Sequence, residues 1–377
     1  VEGDANIAIE GFVITGEGAA GPICSVRNIN LVHFQNASNI RFQNNIVFGN
    51  NREPFCNDLM KINRSGSPYY PRKIRVLGNV FYNHPQVFGN DLIDSVRPGE
   101  IEISDNIFFS DLGVSAGQAH VTLKREVTGA DVPPDAQNPR YTVNRNIFLN
   151  WEGDPGQPML NFGEDGVETY ELTDAVVENN LFVGNAANPL SAPIQVKGVR
   201  GVTVRANTIV GDFPSSAFGL LAGTTGLNPT VEDLFVYNNL FADPTGTMGQ
   251  AFFSTFGSVN VGSIDLDYNL YWNAGNALPS SGDILPTDDV NRVVGDPQLE
   301  ADQSGIVLPK WDTGLRRFES GSITIREEFE RLVNAYGALG AGSAAIGAAD
   351  PARSPADDIL GRARDASPDL GAFEASS

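Results

Sequence analysis

Five short segments of this chain, "DLMK", "DLID", "VTLK", "MLNF" and "IQVK", end on Lys61, Asp94, Lys124, Phe162 and Lys197. If they stack as strands, alternation turns Met60, Ile93, Leu123 and Val196 inward. Lys61, Asp94, Lys124, Phe162 and Lys197 then form one outward ladder with neighbours about 4.8 Å apart. Arg97, Arg125, Glu164 and Asp165 fall on the adjoining turns and complete the densest set of convergent charges in the chain. Such a set could abstract a proton beside a carboxylate, as a uronate sugar requires. A lysine serves as base if neighbouring cations lower its pKa, and a second cation stabilises the enolate-like intermediate. On this reading Lys61, Lys124, Arg125 and Arg97 are the catalytic candidates. Asp94, Glu164, Asp165, Lys197, Tyr69 and Tyr70 would contact substrate, the tyrosines by stacking on sugar rings from the loop "RSGSPYYPRK". A plainer reading stands beside it: Lys61, Asp94 and Lys124 as alternating salt bridges on a solvated sheet face.

The elements that would position these residues are written as a repeat. "IRFQNNIVFGN", "IRVLGNVFYN", "IEISDNIFFS", "YTVNRNIFLN", "AVVENNLFVG", "VTVRANTIVG", "LFVYNNLFAD" and "IDLDYNLYWN" are variants of one line. Their marker asparagines are Asn45, Asn79, Asn106, Asn146, Asn180, Asn207, Asn239 and Asn269, separated by 34, 27, 40, 34, 27, 32 and 30 residues. Periods of this length mean a solenoid. Apolar residues alternate before each Asn (Ile40 and Phe42, Ile74 and Val76, Ile101 and Ile103), which is strand periodicity, and a second apolar run follows it. An Asn at a bend tolerates left-handed backbone angles, and stacked amides can bond one another along an interior ladder. With the upstream segments as a third strand, the unit is one three-stranded coil of a parallel β-helix.

Composition agrees. Forty glycines and twenty-three prolines among 41% hydrophobic residues favour many short strands and turns. The formal charge of −21 disfavours nucleic acid and anionic membranes as partners, and no run of 18 apolar residues offers a membrane span. The charge is polarised: residues 61–125 carry eight Lys/Arg against six Asp/Glu, whereas 206–300 carry Arg292 alone against eleven acids. Cys24 and Cys56 lie close to one repeat apart, a spacing open to a disulfide between neighbouring turns or to two buried thiols. His33, His84 and His120 are scattered, and no loop has calcium-ligand spacing, so metal sites stay unassigned. "TIREEFERLVNAYG" predicts a helix near 324–336, with Thr324 as N-cap, Glu327 three residues on and Gly337 as stop. It is expected to cover the C-terminal end of the solenoid.

The repeated lines, with "VVGDPQL", "GSAAIGAAD" and "SPDLGAFE" as closing turns, resemble the right-handed parallel β-helix proteins of the pectate-lyase-like superfamily. The resemblance implies an all-β fold of about nine coils. The coils would occupy residues 1–300, with closing coils and a capping region over 301–377. Because this fold hosts lyases, hydrolases, epimerases, adhesins and inert filaments, it implies an activity only by analogy. Some polysaccharide lyases of this kind use a Lys and Arg pair, certain families with calcium, and "DLMKINRSG" resembles the strand carrying that Lys, at Lys61. One coil later this chain has Asp94 where the Arg would stand in register, and Arg97 comes three residues on. Glycoside hydrolysis by Asp91, Asp94, Glu164 and Asp165 is the weaker enzymatic reading, since grouped aspartates with a downstream His are absent.

Two readings follow. One is an exported, extracellular or cell-surface protein that cleaves an acidic, uronate-containing polysaccharide by β-elimination, or binds it, with no cofactor other than the calcium used in some families. The other is a non-enzymatic structural or adhesive protein that self-associates end to end. "NIAIEGFVITG" aligns with "NIRFQNNIVFG", so Val1 falls inside a coil with no cap before it, an open end that would stack on upstream coils or on another chain.

Overall fold

The computed structural model describes residues 2–15, 30–49, 58–64, 66, 70–83, 91–111, 118–132, 135–150, 156–185, 190–213, 216–249, 251–300 and 305–375. Cys24, Cys56, Tyr69, His84, Trp151 and Val1 lie outside them. The strands stack in parallel on three faces of a β-helix. The first face carries Met60–Asn63, Ile93–Val96, Val121–Lys124, Leu160–Phe162, Ile194–Lys197, Leu220–Gly223 and Phe253–Phe256, each paired with the next. The second runs from Glu2–Glu10 through Arg72–Leu77 and Tyr141–Asn144 to Ile264–Asp267. The long strand Val32–Gln43 bends round the corner and belongs to both. The third face is a ten-stranded sheet from Val13–Thr15 to Val293–Val294.

The expected asparagine ladder is present. From Asn45 to Asn269 each Asn donates its backbone N–H and its Nδ2 to the Oδ1 of the next, at 2.9–3.2 Å. The Nδ2 groups also reach carbonyls of the preceding coil, such as Phe42 and Val143. All eight amides are fully buried, and each one's hydrogen bonds are met. The ladder ends on Asp289, whose Oδ2 accepts from Asn269 N, Asn269 Nδ2 and the Tyr271 hydroxyl. The left-handed residue, however, is the one before each ladder Asn. Asn44, Gly78, Asp105, Arg145, Asn179, Ala206, Asn238 and Tyr268 all have φ between 50° and 63°. The amide bonds therefore hold closed a bend that costs an L-residue about 1 kcal/mol or more.

Beside the ladder, Phe81, Phe108, Phe148 and Phe182 stack with centroids 5.6, 5.0 and 4.6 Å apart. The third face is apolar on its outer side too: Phe48, Tyr82 and Phe109 stack there at 4.8 and 4.6 Å. This explains its near-continuous apolar runs, because a parallel strand buried on both faces need not alternate. The chain beyond Leu299 supplies the cover. Its helix, Ile325–Tyr336, carries the expected capping box, with Thr324 Oγ1 accepting from Glu327 N and Glu327 accepting from Thr324 N.

The helix lies along the flank of the third face, burying Phe329, Leu332, Val333 and Tyr336 beside Ile147, Leu149 and Leu181. It does not sit over the C-terminal end, as the sequence led one to expect, because the outer apolar side of the third face is the surface that needs burial. Further on, Gly371 donates to Asn238 O at 2.9 Å. At φ 90° a Cβ there would come within 2.6 Å of Thr208 Oγ1, so this approach requires glycine.

Asn180→Ala should cost about 3 kcal/mol or more, since it strands the Asn146 donors and the Val143 carbonyl in the core. Thermal melting against the parent tests this, and an unchanged melting temperature would remove the ladder from its central place.

Candidate functional site

The first face keeps its inner side apolar, with Met60, Ile62, Ile93, Leu123, Leu160, Phe162, Ile194 and Val196 buried in the core. Its outer side carries two polar rows. Strand pairing aligns His33, Lys61, Asp94, Thr122, Asn161 and Gln195 in the first. Lys124 is in register with Val96, and Lys197 with Gly223, so both lysines stand two residues further along their strands in a second row. The single ladder expected from the sequence is thus corrected in two ways. Lys124 and Lys197 are displaced from Lys61 and Asp94 by about 6.6 Å along the strand. Phe162 is a fully buried core residue and not a groove residue.

Side chains nonetheless bring the two rows together at Asp94. Its Oδ2 accepts from Lys61 Nζ and lies 3.4 Å from Lys124 Nζ. Lys61 Nζ is also 3.2 Å from Asp58 Oδ2. Lys124 hydrogen-bonds Glu164 and lies 3.7 Å from Asp165, which pairs with Arg125 Nε at 2.8 Å. Six residues singled out from the sequence therefore form one connected ion cluster. Sequence reasoning missed Asp58 and gave Asp91 a place only in the weaker hydrolase reading. Both occupy the first position of "DLMK" and "DLID", and that recurrence was the available signal. Asp91 N donates to Asp58 Oδ1 at 3.0 Å, and the carboxylates of Asp58, Asp91 and Asp94 offer oxygens all within 4.8 Å of one another.

The electrostatics sort the lysines. Burial alone would pull Lys61 and Lys124 down, but Asp94 with Asp58 outweighs it at Lys61, and Asp94 with Glu164 and Asp165 at Lys124. Both ammonium groups are held charged above the ordinary lysine value, the reverse of what a general base needs. Lys197 goes the other way: burial pushes it down, and Glu164 and Glu171 only partly oppose this. Among the described residues no carboxylate lies in ion-pair range of its Nζ. Burial raises Asp58, with the Asp94 charge adding and Lys61 opposing. It pushes Asp91 well above the usual carboxylate range, with Asp94, Asp58 and Glu164 adding to the effect.

At the corner where first-face strands end lies a cleft of about 530 Å³, lined among others by Tyr70, Arg97, Arg125, Asp131, Asp165, Glu168 and Leu227. Arg97 and Arg125 hold left-handed backbone angles, φ 59° and 55°, at bends that later coils fill with Gly163 and Gly198. Keeping arginine where glycine is easier marks strain retained at a cleft. Tyr70 donates to Asp131 Oδ2 at 2.5 Å and stacks under the Arg64 guanidinium, 4.2 Å from its ring centroid. That leaves its ring face engaged by a cation. Tyr69 lies outside the described residues.

Calcium, which the resemblance implies for certain families, does not fit this cluster as built. It takes six to eight oxygens at 2.3–2.6 Å. Here Asp94 Oδ2 and Asp58 Oδ2 face ammonium groups, Asp58 Oδ1 accepts a backbone N–H, and burial pushes Asp91 well above the usual carboxylate range. No protein-family model matches the chain, and no curated protein matches it in sequence.

A carboxyl group whose pKa is raised by folding adds stability at low pH, and loses it as pH rises through the folded-state value. Asp91→Asn should therefore melt progressively higher than the parent as pH goes from acidic to alkaline. Parallel melting-temperature curves for the two proteins would show that Asp91 is not held protonated.

Proposed function

We propose that this chain is an exported carbohydrate-active protein of the pectate-lyase-like kind, acting outside the cell or on its surface. Its first face binds an acidic, uronate-containing polysaccharide and cleaves it by β-elimination. The observation that carries the reading is the gathering of Lys61, Arg97, Lys124, Arg125 and Lys197 on and beside one face, with Lys197 half-buried and no carboxylate among the described residues in ion-pair range of it. Set against Asp58, Asp94, Glu164 and Asp165, these cations bring the face close to charge balance in a chain of charge −21. A polyanion finds its least repulsive surface there.

The roles differ from those the sequence suggested. Lys197, the lysine whose pKa burial lowers, takes the C5 proton of the uronate. The C–H electron pair forms the C4–C5 double bond and expels the C4 glycosidic oxygen, which takes a proton from water. Lys124 and Arg125 hold the uronate carboxylate and stabilise the charge that develops on it. Lys61 stays an ammonium throughout.

Lys197→Ala should lower turnover of a polyuronate panel by about 10²–10⁴-fold with the fold intact, read as ultraviolet absorbance of the unsaturated product. In the parent, kcat/KM should rise with pH through a pKa below the ordinary lysine value. A parent inactive on every polyuronate removes the lyase reading. A fully active Lys197→Ala removes only the assignment of the base.

A second reading, end-to-end assembly, is favoured by one observation. Phe12 stands in the column of the asparagine ladder, donating its N–H to Asn45 Oδ1 at 2.9 Å but offering no side-chain oxygen in return. It is 57% exposed beside Ile7 and Val13, an apolar surface on the first described coil. If that surface joins copies, sedimentation should show particles that lengthen with concentration and that Phe12→Asp keeps apart. A strictly monomeric parent at high concentration excludes the assembly.

A further inference from the structure

The fourth residue of the repeated segment is lysine in "DLMK" and aspartate in "DLID", and the two stand side by side in strand register, Lys61 against Asp94. Asp58 and Asp91 precede them by three residues on the same coils. The four positions form two neighbouring pairs on adjacent coils, Asp58 beside Asp91 and Lys61 beside Asp94, three held by buried carboxylates and one by an ammonium. Asp58, Asp91 and Asp94 are each 4% exposed or less, and their oxygens approach within 4.8 Å of one another. Three carboxylates so close are a strong trap for a cation, because each raises the cost of ionising the others and burial raises it further.

We infer that the Lys61 ammonium is the built-in cation of this face, lodged among Asp58, Asp91 and Asp94 where a divalent ion would otherwise sit, and that it makes the face independent of calcium. The geometry supports this from both sides. Lys61 Nζ bonds Asp94 and lies 3.2 Å from Asp58, so its single charge is shared between two of the three acids. Its stem needs no long reach, since Lys61 and Asp94 are strand partners, and its side chain is only 17% exposed. Lys124 approaches the same Asp94 oxygen from the second row, at 3.4 Å. The fully buried oxygens of these acids left without a hydrogen bond are Asp58 Oδ2, Asp91 Oδ1 and Asp94 Oδ1, too few to complete a calcium shell while the lysine stands 3.2 Å from the first of them. A lysine fixed in the chain cannot be chelated away, and it leaves the face charged in the same way whatever the metal supply. This inference does not depend on the proposed reaction.

The test is calcium binding by the full chain, followed by calorimetric titration and by thermal melting with calcium or with chelator. The parent should give no saturable heat at this cluster, and its melting temperature should be unmoved by calcium or chelator. Lys61→Met, which keeps the stem and removes the charge, should melt lower in chelator, bind one calcium per chain, and regain melting temperature as calcium is added. Lys61→Met/Asp94→Asn should lose that binding, which assigns the ion to these carboxylates and not to other acidic surface. If Lys61→Met does not fold, Lys61→Gln gives the same readouts. A parent that binds calcium in a manner abolished by Asp94→Asn overturns the inference. So does a folded Lys61 variant that binds no calcium.

Discussion

Everything on the surface of this protein depends on a line of amides at its core. The ladder from Asn45 to Asp289 satisfies buried donors that a bend inside an apolar solenoid would otherwise leave exposed to nothing. It also fixes where each bend falls, because the residue before every Asn must turn left-handed for the amide to reach its neighbour. Once the bends are fixed, coil length can vary only in the other corners. The separations of 27 to 40 residues between ladder positions are absorbed there, and the cleft with Arg97 and Arg125 sits at such a corner. A rigid line on one side and freedom on the other is how a repeat protein carries a specific site.

Above that frame, the first face is governed by charge compensation. The same residue type meets opposite fates within five successive coils: Lys61 and Lys124 are held charged by the carboxylates they touch, while Lys197 has its pKa lowered because burial is not answered by a close partner. The difference comes from neighbours, not from depth alone, since all three are partly buried. Asp94 is the pivot, serving two ammonium groups from two rows while burial, and then its own charge, raises the pKa of Asp91.

The sequence carried the parallel β-helix and the ladder plainly, since a buried Asn at a near-constant phase of eight lines is a strong periodic signal. The helix was equally legible from Thr324, Glu327 and its apolar stripe, but its docking place was not, because the outer apolar row of Phe48, Tyr82 and Phe109 reads the same as core. Register on the first face was harder for a physical reason. A slip of two residues preserves the alternation of inward and outward positions, so nothing in "VTLK" or "IQVK" reveals that Lys124 and Lys197 lie one step beyond Lys61. In "MLNF" three apolar residues of four hide the alternation altogether, and Phe162 is assigned to the wrong side.

The roles expected of Lys61 and Lys124 were lost for a related reason. A base is identified by its surroundings, and the acids that decide the matter come from other coils: Asp58 from the preceding bend, Glu164 forty residues downstream. Linear proximity pointed instead to Arg97 and Arg125 as neighbours that would lower a lysine's pKa. Stacking replaced those cations with carboxylates at closer range, which reversed the sign of the shift. In a solenoid the chemically relevant neighbour of any residue is about one period away, so candidate bases have to be weighed down the column and not along the strand.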